Sequence, residues 1–194
     1  MRIFLMTALI LVVFGVEEVE AKEPEWYYTT RNNIDHGALA QSVDISEDGE
    51  YIVAAVNSIG SDTHKIFFFN KDSATPFWSY DFIDYIHSVA ISDNGEYIVV
   101  GSGYGSTCGG AGCTENTARL HLFDKDRNTP HWNYTSESGV SSVAISADGE
   151  HIVADDGKKI SLFNKNSGTP LWNYTTGDWV RSVAISANGE YIAA

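Results

Sequence analysis

The chain has 194 residues, of which 43% are hydrophobic and 12% aromatic, so it can bury a sizeable core and is predicted to fold as one domain rather than stay disordered. Its 26 acidic residues outnumber 12 basic ones, and the net charge of −14 disfavours nucleic acids and anionic lipid surfaces as partners, because binding to them depends on basic patches. An acidic balance of this kind is typical of a well-solvated surface and specifies no ligand.

The N-terminus has the pattern of a secretory signal. Arg2 precedes an apolar run over residues 3–16, and the small residues Val19 and Ala21 stand where a signal peptidase recognises its site. The run has about 14 residues, fewer than the roughly 20 of a membrane-spanning helix, so an uncleaved anchor is the weaker alternative. We therefore predict a signal peptide over residues 1–21 and a mature protein over residues 22–194. This protein is expected to be secreted or displayed at the cell surface, without membrane insertion after cleavage.

Four near copies of one short stretch follow, and they begin at Ser42, Ser88, Ser142 and Ser182. Each copy contains two runs of β-branched residues joined by Asp-Gly or Asn-Gly. These dipeptides supply the positive φ angles of a tight β-hairpin. The pattern predicts two strands in each copy, here called a (Val-Ala-Ile-Ser and its variants) and b (Tyr-Ile-Val-Ala and its variants).

Two further strands are predicted after each of the first three copies. Strand c is an Ile-x-Leu-Phe run within residues 65–71, 119–125 and 159–165. Strand d contains a Trp-x-Tyr motif, and its tryptophans are Trp78, Trp132 and Trp172, with a looser forerunner at Trp26. Trp132 and Trp172 are 40 positions apart, and the earlier spacings between tryptophans are longer only through insertions. Beyond the signal no segment keeps a 3.6-residue period, so the mature chain is predicted to be all-β.

Repeats of about 40 residues with four antiparallel strands each are typical of the blades of a β-propeller. The tryptophans recur because every blade must present the same apolar surface to the next, and a ligand-binding aromatic box is the less favoured interpretation. Three full blades and part of another would leave open sheet edges, whereas propellers close with four to eight blades. We therefore expect an incomplete fragment, with the remaining blades on a C-terminal part of a longer product. Oligomerisation that completes the ring is the alternative.

At these motifs residues 22–194 resemble the WD-repeat and quinoprotein-like (PQQ-like) β-propeller families. The third strands end in Phe69-Asn70, Phe123-Asp124 and Phe163-Asn164, where a WD repeat has Trp-Asp, and the Gly-His opening of that repeat is missing. The hydrogen-bonded network of the WD family is therefore not carried over. The repeated Thr-Pro-x-Trp-x-Tyr is closer to the outer-strand tryptophan motif of quinoprotein-like blades. The resemblance implies an architecture and not a chemistry.

The b–c and d–a loops share one face of the predicted propeller and vary between repeats: the b–c loops range from residues 101–118 to the minimal 155–158, and residues 81–87 are one of the d–a loops. The a–b and c–d turns on the other face are nearly uniform. Binding residues concentrate on loops that a rigid scaffold carries. The expected binding residues are Arg31, Asp35, His36, Asp84, Tyr85, His87, Tyr104, Trp179 and Arg181. We predict a non-enzymatic protein, without cofactor or metal, that binds a protein or glycan partner through this face. That these residues only cap the blades is the plainer alternative.

A quinoprotein-like dehydrogenase is the alternative function, for which the resemblance implies pyrroloquinoline quinone on the propeller axis and calcium as electrophile. Such enzymes, as the resemblance implies, place a disulfide between adjacent cysteines against the quinone, whereas Cys108 and Cys113 are separated by four residues. No Glu, Asn and Asp set interrupts the repeat to hold calcium, and no Gly-x-Ser-x-Gly motif indicates a serine nucleophile. The non-enzymatic reading is therefore preferred.

Two modifications are also predicted for an exported chain. Cys108 and Cys113 lie in the longest, glycine-rich loop, where they are expected to form a disulfide, because no second pair completes a zinc site. Asn133 and Asn173 begin glycosylation sequons. Both asparagines fall in predicted d strands, so a role as polar edge residues is equally open.

Overall fold

The computed structural model describes residues 10–13, 25–30, 38–59, 63–103 and 118–194, and almost all regular structure within them is β-strand. Strands β1 (Ile10–Val13) and β2 (Trp26–Thr29) form an antiparallel pair. β1 lies inside the predicted signal peptide, whose cleavage stays a prediction.

Three four-stranded antiparallel sheets follow, and in each the strands are neighbours in chain order. The first blade contains β3 (Ala38–Ile45), β4 (Tyr51–Ser58), β5 (His64–Asn70) and β6 (Trp78–Phe82). The second contains β7 (Tyr85–Ile91), β8 (Tyr97–Gly103), β9 (Arg119–Asp124) and β10 (Trp132–Thr135). The third contains β11 (Val143–Ile145), β12 (His151–Asp156), β13 (Lys159–Asn164) and β14 (Ser167–Thr175). A hairpin of β15 (Ala184–Ile185) and β16 (Ile192–Ala193) comes last.

These sheets are the predicted a–b–c–d blades of an incomplete β-propeller. Among the described strands, none joins the last sheet to the first, so the ring is open. Several loops are shorter than predicted, and the clearest case is residues 81–87, which were predicted to be a d–a loop. β6 continues to Phe82 and β7 begins at Tyr85, which leaves Ile83 and Asp84 as the turn. The strand starts early because a bulge between Ile86 and Ser88 lets β7 pair with β8 as far as Gly103.

The core lies between blades, as the repeated apolar motifs require. Phe68 and Phe123 are fully buried in the cluster that joins the first and second blades. Trp78 stacks between them, with ring centroids 5.1 Å and 5.7 Å away. Its indole N–H donates to the Lys125 carbonyl of the next blade at 2.8 Å. The same indole-to-carbonyl bond joins Trp132 to Lys165 at 2.7 Å and Trp26 to Lys71.

The a–b turns are linked directly to one another by backbone hydrogen bonds. Glu47 N–H donates to the Asp93 carbonyl (3.1 Å), Asp93 N–H to Ala147 (3.1 Å), and Ala147 N–H to Ala187 (3.0 Å). All four Asp-Gly and Asn-Gly corners therefore lie at one end of the molecule, here called the turn face. The b–c and d–a connections consequently meet at the opposite end, here called the loop face.

Candidate binding face

Three d–a segments of the loop face, those that lie in the described part of the chain, are hydrogen-bonded to the end of the preceding b strand or to the turn that follows it. Asn57, which is buried, donates its side-chain amide to the Ile86 carbonyl (2.8 Å) and accepts from Ile86 N–H (3.0 Å). Val140 N–H donates to the Ser102 carbonyl (3.2 Å), and Val180 N–H donates to the Gly157 carbonyl (2.8 Å). The loop face is therefore carried on fixed backbone at all three junctions.

The structure brings Tyr85 and His87 to the junction of the first two blades, where both are half-buried in β7 rather than in a loop. The Tyr85 ring lies 4.3 Å from that of His64, which is buried and accepts the Ser58 N–H through Nδ1 (3.2 Å). A Cβ at Gly103 would lie 3.5 Å from His87 Nε2. Asp84, also half-buried, occupies the turn just before β7.

Trp179 and Arg181 lie at the far side of the third blade, and both are exposed. Trp179 is 54% exposed, and its ring covers Gly157, where an added Cβ would lie 3.0 Å from Trp179 Cζ3. Gly157 also has a φ of 66°, so the turn requires glycine for both conformation and space. These two residues are separate from the Tyr85–His87 junction, so the loop face has two described groups of predicted residues.

Two buried carboxylates of β12, Asp155 and Asp156, support this face and were not recognised from the sequence. Asp155 accepts Ser141 N–H (2.7 Å) and Ser142 N–H (2.6 Å) through Oδ1, and the Ser141 hydroxyl (2.8 Å) through Oδ2. Burial raises the pKa of Asp155, while the hydrogen bonds from Ser142 and Ser141 oppose the rise. The available signal was two acids where the other blades have Ala55-Val56 and Gly101-Ser102.

Asp156 anchors the other side of the same loop. Its Oδ1 accepts the Ser136 hydroxyl (2.5 Å), and its Oδ2 accepts the Tyr134 hydroxyl (3.3 Å). Burial and the charge of Asp156 raise the pKa of Tyr134. Both carboxylates accept hydrogen bonds from serine and tyrosine groups. Asp155 and Asp156 therefore position residues 136–142 and do not present a free charge to a ligand.

The loop face also carries exposed apolar side chains that were not among the predicted binding residues. Ile59 is 52% exposed where β4 ends, and Ile83 is 79% exposed in the turn between β6 and β7. Isolated exposed apolar residues are ordinary, but a group of them on one end is typical of a contact surface. Trp179 is a further exposed apolar side chain of this end.

Several predicted residues fall outside the part of the chain that the structure describes. They are Arg31, Asp35, His36, Tyr104, Cys108 and Cys113. Both sequon asparagines are exposed, Asn133 on β10 and Asn173 on β14, and Asn173 Oδ1 accepts the Ser161 hydroxyl (2.6 Å). Their glycosylation stays a prediction.

The described residues contain neither a cluster of metal-ligating side chains nor a membrane-spanning helix. No three His, Cys, Asp or Glu side chains there are grouped to hold a metal ion. Nor do these residues contain a helix long and apolar enough to cross a membrane.

Comparisons with known proteins define the class by its fold. Neither a protein-family model nor a curated protein matches the chain. A solved structure of Kuenenia stuttgartiensis hydrazine synthase is similar with a TM-score of 0.63 and 14% identity, over 86% of this chain and 56% of that one. The Dos1 propeller is similar with a TM-score of 0.61 and 10% identity, over 86% of this chain and 42% of that one.

This chain is therefore a β-propeller repeat protein. It spans about half the length of these two structures, at 56% and 42%. Likeness at 14% and 10% identity concerns the fold alone.

Proposed function

We propose that this β-propeller is an exported, non-enzymatic binding protein that holds a protein partner on its loop face, with a glycan as the second candidate ligand. The observation that carries the proposal is the exposure of Ile59, Ile83 and Trp179 at the end where the repeats differ. Apolar and aromatic anchors surrounded by polar groups are the usual centres of protein interfaces.

The support beneath these side chains favours binding without a large rearrangement. Asn57, Asp155 and Asp156 are buried and fully engaged with the neighbouring loop segments. A preorganised surface loses less conformational entropy when it binds, so more of the contact energy appears as affinity.

The proposal also includes two further points: the repeats are of the quinoprotein-like kind, and the protein is exported. The inter-blade hydrogen bonds from the indoles of Trp78 and Trp132, both in Thr-Pro-x-Trp motifs, support repeats of the quinoprotein-like kind, used here as scaffold rather than for catalysis. Export predicts a mature N-terminus at Lys22 and a Cys108–Cys113 disulfide. Intact-mass measurement of protein recovered outside the cytoplasm, before and after reduction and alkylation, tests both.

Site-specific photo-crosslinking in the native host tests the binding face. A photoreactive amino acid is placed at Ile83 or at Trp179, and the matched control position is the exposed Asn166 on the turn face. The proposal expects one partner to be captured from both loop-face positions and not from Asn166. Capture of the same partner from all three positions, or of none from the loop face, would overturn it.

The chemistry of the adduct separates the two candidate ligands. A protein partner gives an adduct that protease digestion shortens and glycosidases leave unchanged. An adduct that resists protease and is trimmed by glycosidases would replace the protein partner with a glycan.

A further inference from the structure

A cleft on the turn face forms a second candidate site, in the seam between the first and second blades. It has a volume of about 310 Å³ and is lined by Tyr51, Phe68, Phe77, Trp78, Lys125 and Asp126. This volume is at the lower end of the range for small-molecule pockets, which suits one ring-sized group. The seam shares no residue with the loop face, so what binds here is independent of the function proposed above.

The walls of the cleft are aromatic rings held in position by stacking. Phe68 is fully buried, and it lies parallel to Tyr51 at 5.5 Å (7°). Phe77 is 60% exposed, and its ring is tilted by 45° from that of Tyr51 at 6.4 Å. The backbone N–H of Phe77 donates to the Phe68 carbonyl (2.8 Å), which fixes the base of this wall. An accessible aromatic surface is thus presented on a rigid floor.

The rim of the cleft has one donor and one acceptor side by side. The Lys125 ammonium pairs with Glu96 (2.5 Å) and lies 5.7 Å from the centre of the Tyr51 ring. An ammonium has three N–H groups, so donors remain beyond the bond to Glu96. Asp126 is exposed and accepts no hydrogen bond from the described residues, although it lies next to Lys125.

The aromatic lining is specific to this seam. The next seam has the repeated Tyr97, Trp132 and Lys165, but Leu122 and His131 stand at the places of Phe68 and Phe77. The tyrosine, the tryptophan and the lysine recur in the next seam, so packing between blades explains their presence. The two phenylalanines do not recur, so blade packing does not explain them. Phe77 in particular is too exposed to serve the core.

We propose that this cleft binds a neutral pyranose ring of a glycan. Sugar C–H groups, which carry partial positive charge, suit the exposed negative face of Phe77. Sugar hydroxyls both donate and accept, so one ring satisfies Lys125 and Asp126 together. Asp126, Glu96 and the net charge of −14 disfavour an anionic ligand. The Lys125 ammonium already occupies the cation position over the Tyr51 ring, so that ring does not offer its face to a cationic ligand. A proline-rich segment, which also suits aromatic grooves, lacks backbone donors for Asp126.

Saturation-transfer difference NMR with the 194-residue protein tests this site. The probes are the methyl glycosides of glucose, galactose, mannose and N-acetylglucosamine at millimolar concentration, with an octaproline peptide as the competing class. We expect at least one glycoside to receive saturation, mainly at the C–H protons of one ring face. Phe77→Ala should weaken that binding by about tenfold or more, because it removes the exposed wall.

Two variants control for folding and for position. Phe77→Trp keeps an aromatic wall and should retain binding. Leu171→Ala alters the matching repeat position of the third blade, which is also exposed at 57%, and should change nothing. No signal from any glycoside, a signal that survives Phe77→Ala, or a signal from octaproline alone that Phe77→Ala abolishes would each overturn the proposal.

Discussion

Gly95 and Gly49 occupy the same position of the a–b turn but have different surroundings. Both have a left-handed backbone, with φ of 70° and 72°. A Cβ on Gly95 would overlap the Tyr51 ring of the preceding blade, whereas a Cβ on Gly49 would meet nothing within 4 Å. The sequence predicts both Asn-Gly and Asp-Gly turns as hairpin corners. In the second blade the glycine is also needed because the Tyr51 ring of the first blade packs against it.

We predict that Gly95→Ala destabilises the protein more than Gly49→Ala. The left-handed conformation costs about 1–2 kcal/mol in either variant. The clash with Tyr51 adds about 1–3 kcal/mol in Gly95→Ala alone. The free energy of unfolding from urea titrations measures the difference, and equal losses in the two variants would show that the blades do not meet at this turn.

His121 is a buried imidazole whose titration should be visible in stability. Its side chain is 5% exposed and lies among Tyr80, Phe82 and Phe123, and its Nδ1 has no hydrogen-bond partner among the described residues. Burial, followed by the nearby charge of Arg119, lowers the pKa of His121 from 6.5 to about 4. Between these two values the unfolded chain binds a proton that the folded chain does not.

Stability should therefore fall as the pH decreases through this window. Between pH 6.5 and pH 5, protonation of His121 in the unfolded chain lowers the free energy of unfolding by about 1.5 kcal/mol. His121→Phe introduces the residue that the first blade has at this position, the buried Phe67, and should remove that part of the slope. Urea unfolding at a series of pH values measures it, and an unchanged slope in the variant would assign the loss to other groups.

At the scale of the strand, the d-strand tryptophans connect neighbouring blades. Trp78 is stacked on both sides and its indole N–H is bonded to Lys125. Trp172 has the same place in β14, but it is 42% exposed and its indole has no acceptor among the described residues. The repeated motif is identical in sequence, yet its role depends on whether a blade lies against it.

We predict that Trp78→Phe costs about 1–2 kcal/mol, because the smaller ring keeps the stacking but leaves the half-buried Lys125 carbonyl without its donor. Trp172→Phe should cost less than about 0.5 kcal/mol, as exposed substitutions usually do. Chemical unfolding of both variants gives the comparison. A larger loss for Trp172→Phe would mean that β14 is covered in solution.

At the scale of the whole molecule, the main contacts between blades among the described strands join neighbours in the chain, which is the arrangement of a repeat protein. The second blade is enclosed by clusters on both of its faces. The hairpin of β15 and β16 is held by one cluster only, which includes Val180 and Val183. Local stability should therefore be unequal along the chain.

Hydrogen exchange should reveal this inequality at matched amides. Ser92 N–H donates to the Tyr97 carbonyl (2.9 Å), and Ser186 N–H makes the same bond to Tyr191 (2.8 Å). In the 194-residue chain we expect the Ser186 amide to exchange at least about tenfold faster, because its hairpin opens locally with little loss of packing. Equal protection of the two amides would contradict an open ring in solution.

Much of the architecture was predictable, and the errors have physical causes. The Asp-Gly and Asn-Gly corners and the Trp-x-Tyr strands are local signals, and they predicted the four-stranded blades correctly. The d–a boundary at Tyr85 was missed because the bulge after Ile86 depends on pairing with β8. Asp155 and Asp156 read as a minimal loop, since their serine partners come from a different strand connection.

The amino-acid sequence by itself determined the strand order, the repeat length and which turns are alike, because hairpin propensity and alternation act over a few residues. Only the tertiary structure decided which side chains meet across seams, including the buried support of the loop face and the Phe77 cleft on the turn face. Those contacts join residues tens of positions apart, and they exist only once one twisted sheet is stacked on the next. Packing between blades, rather than propensity within them, therefore decides where this protein can bind.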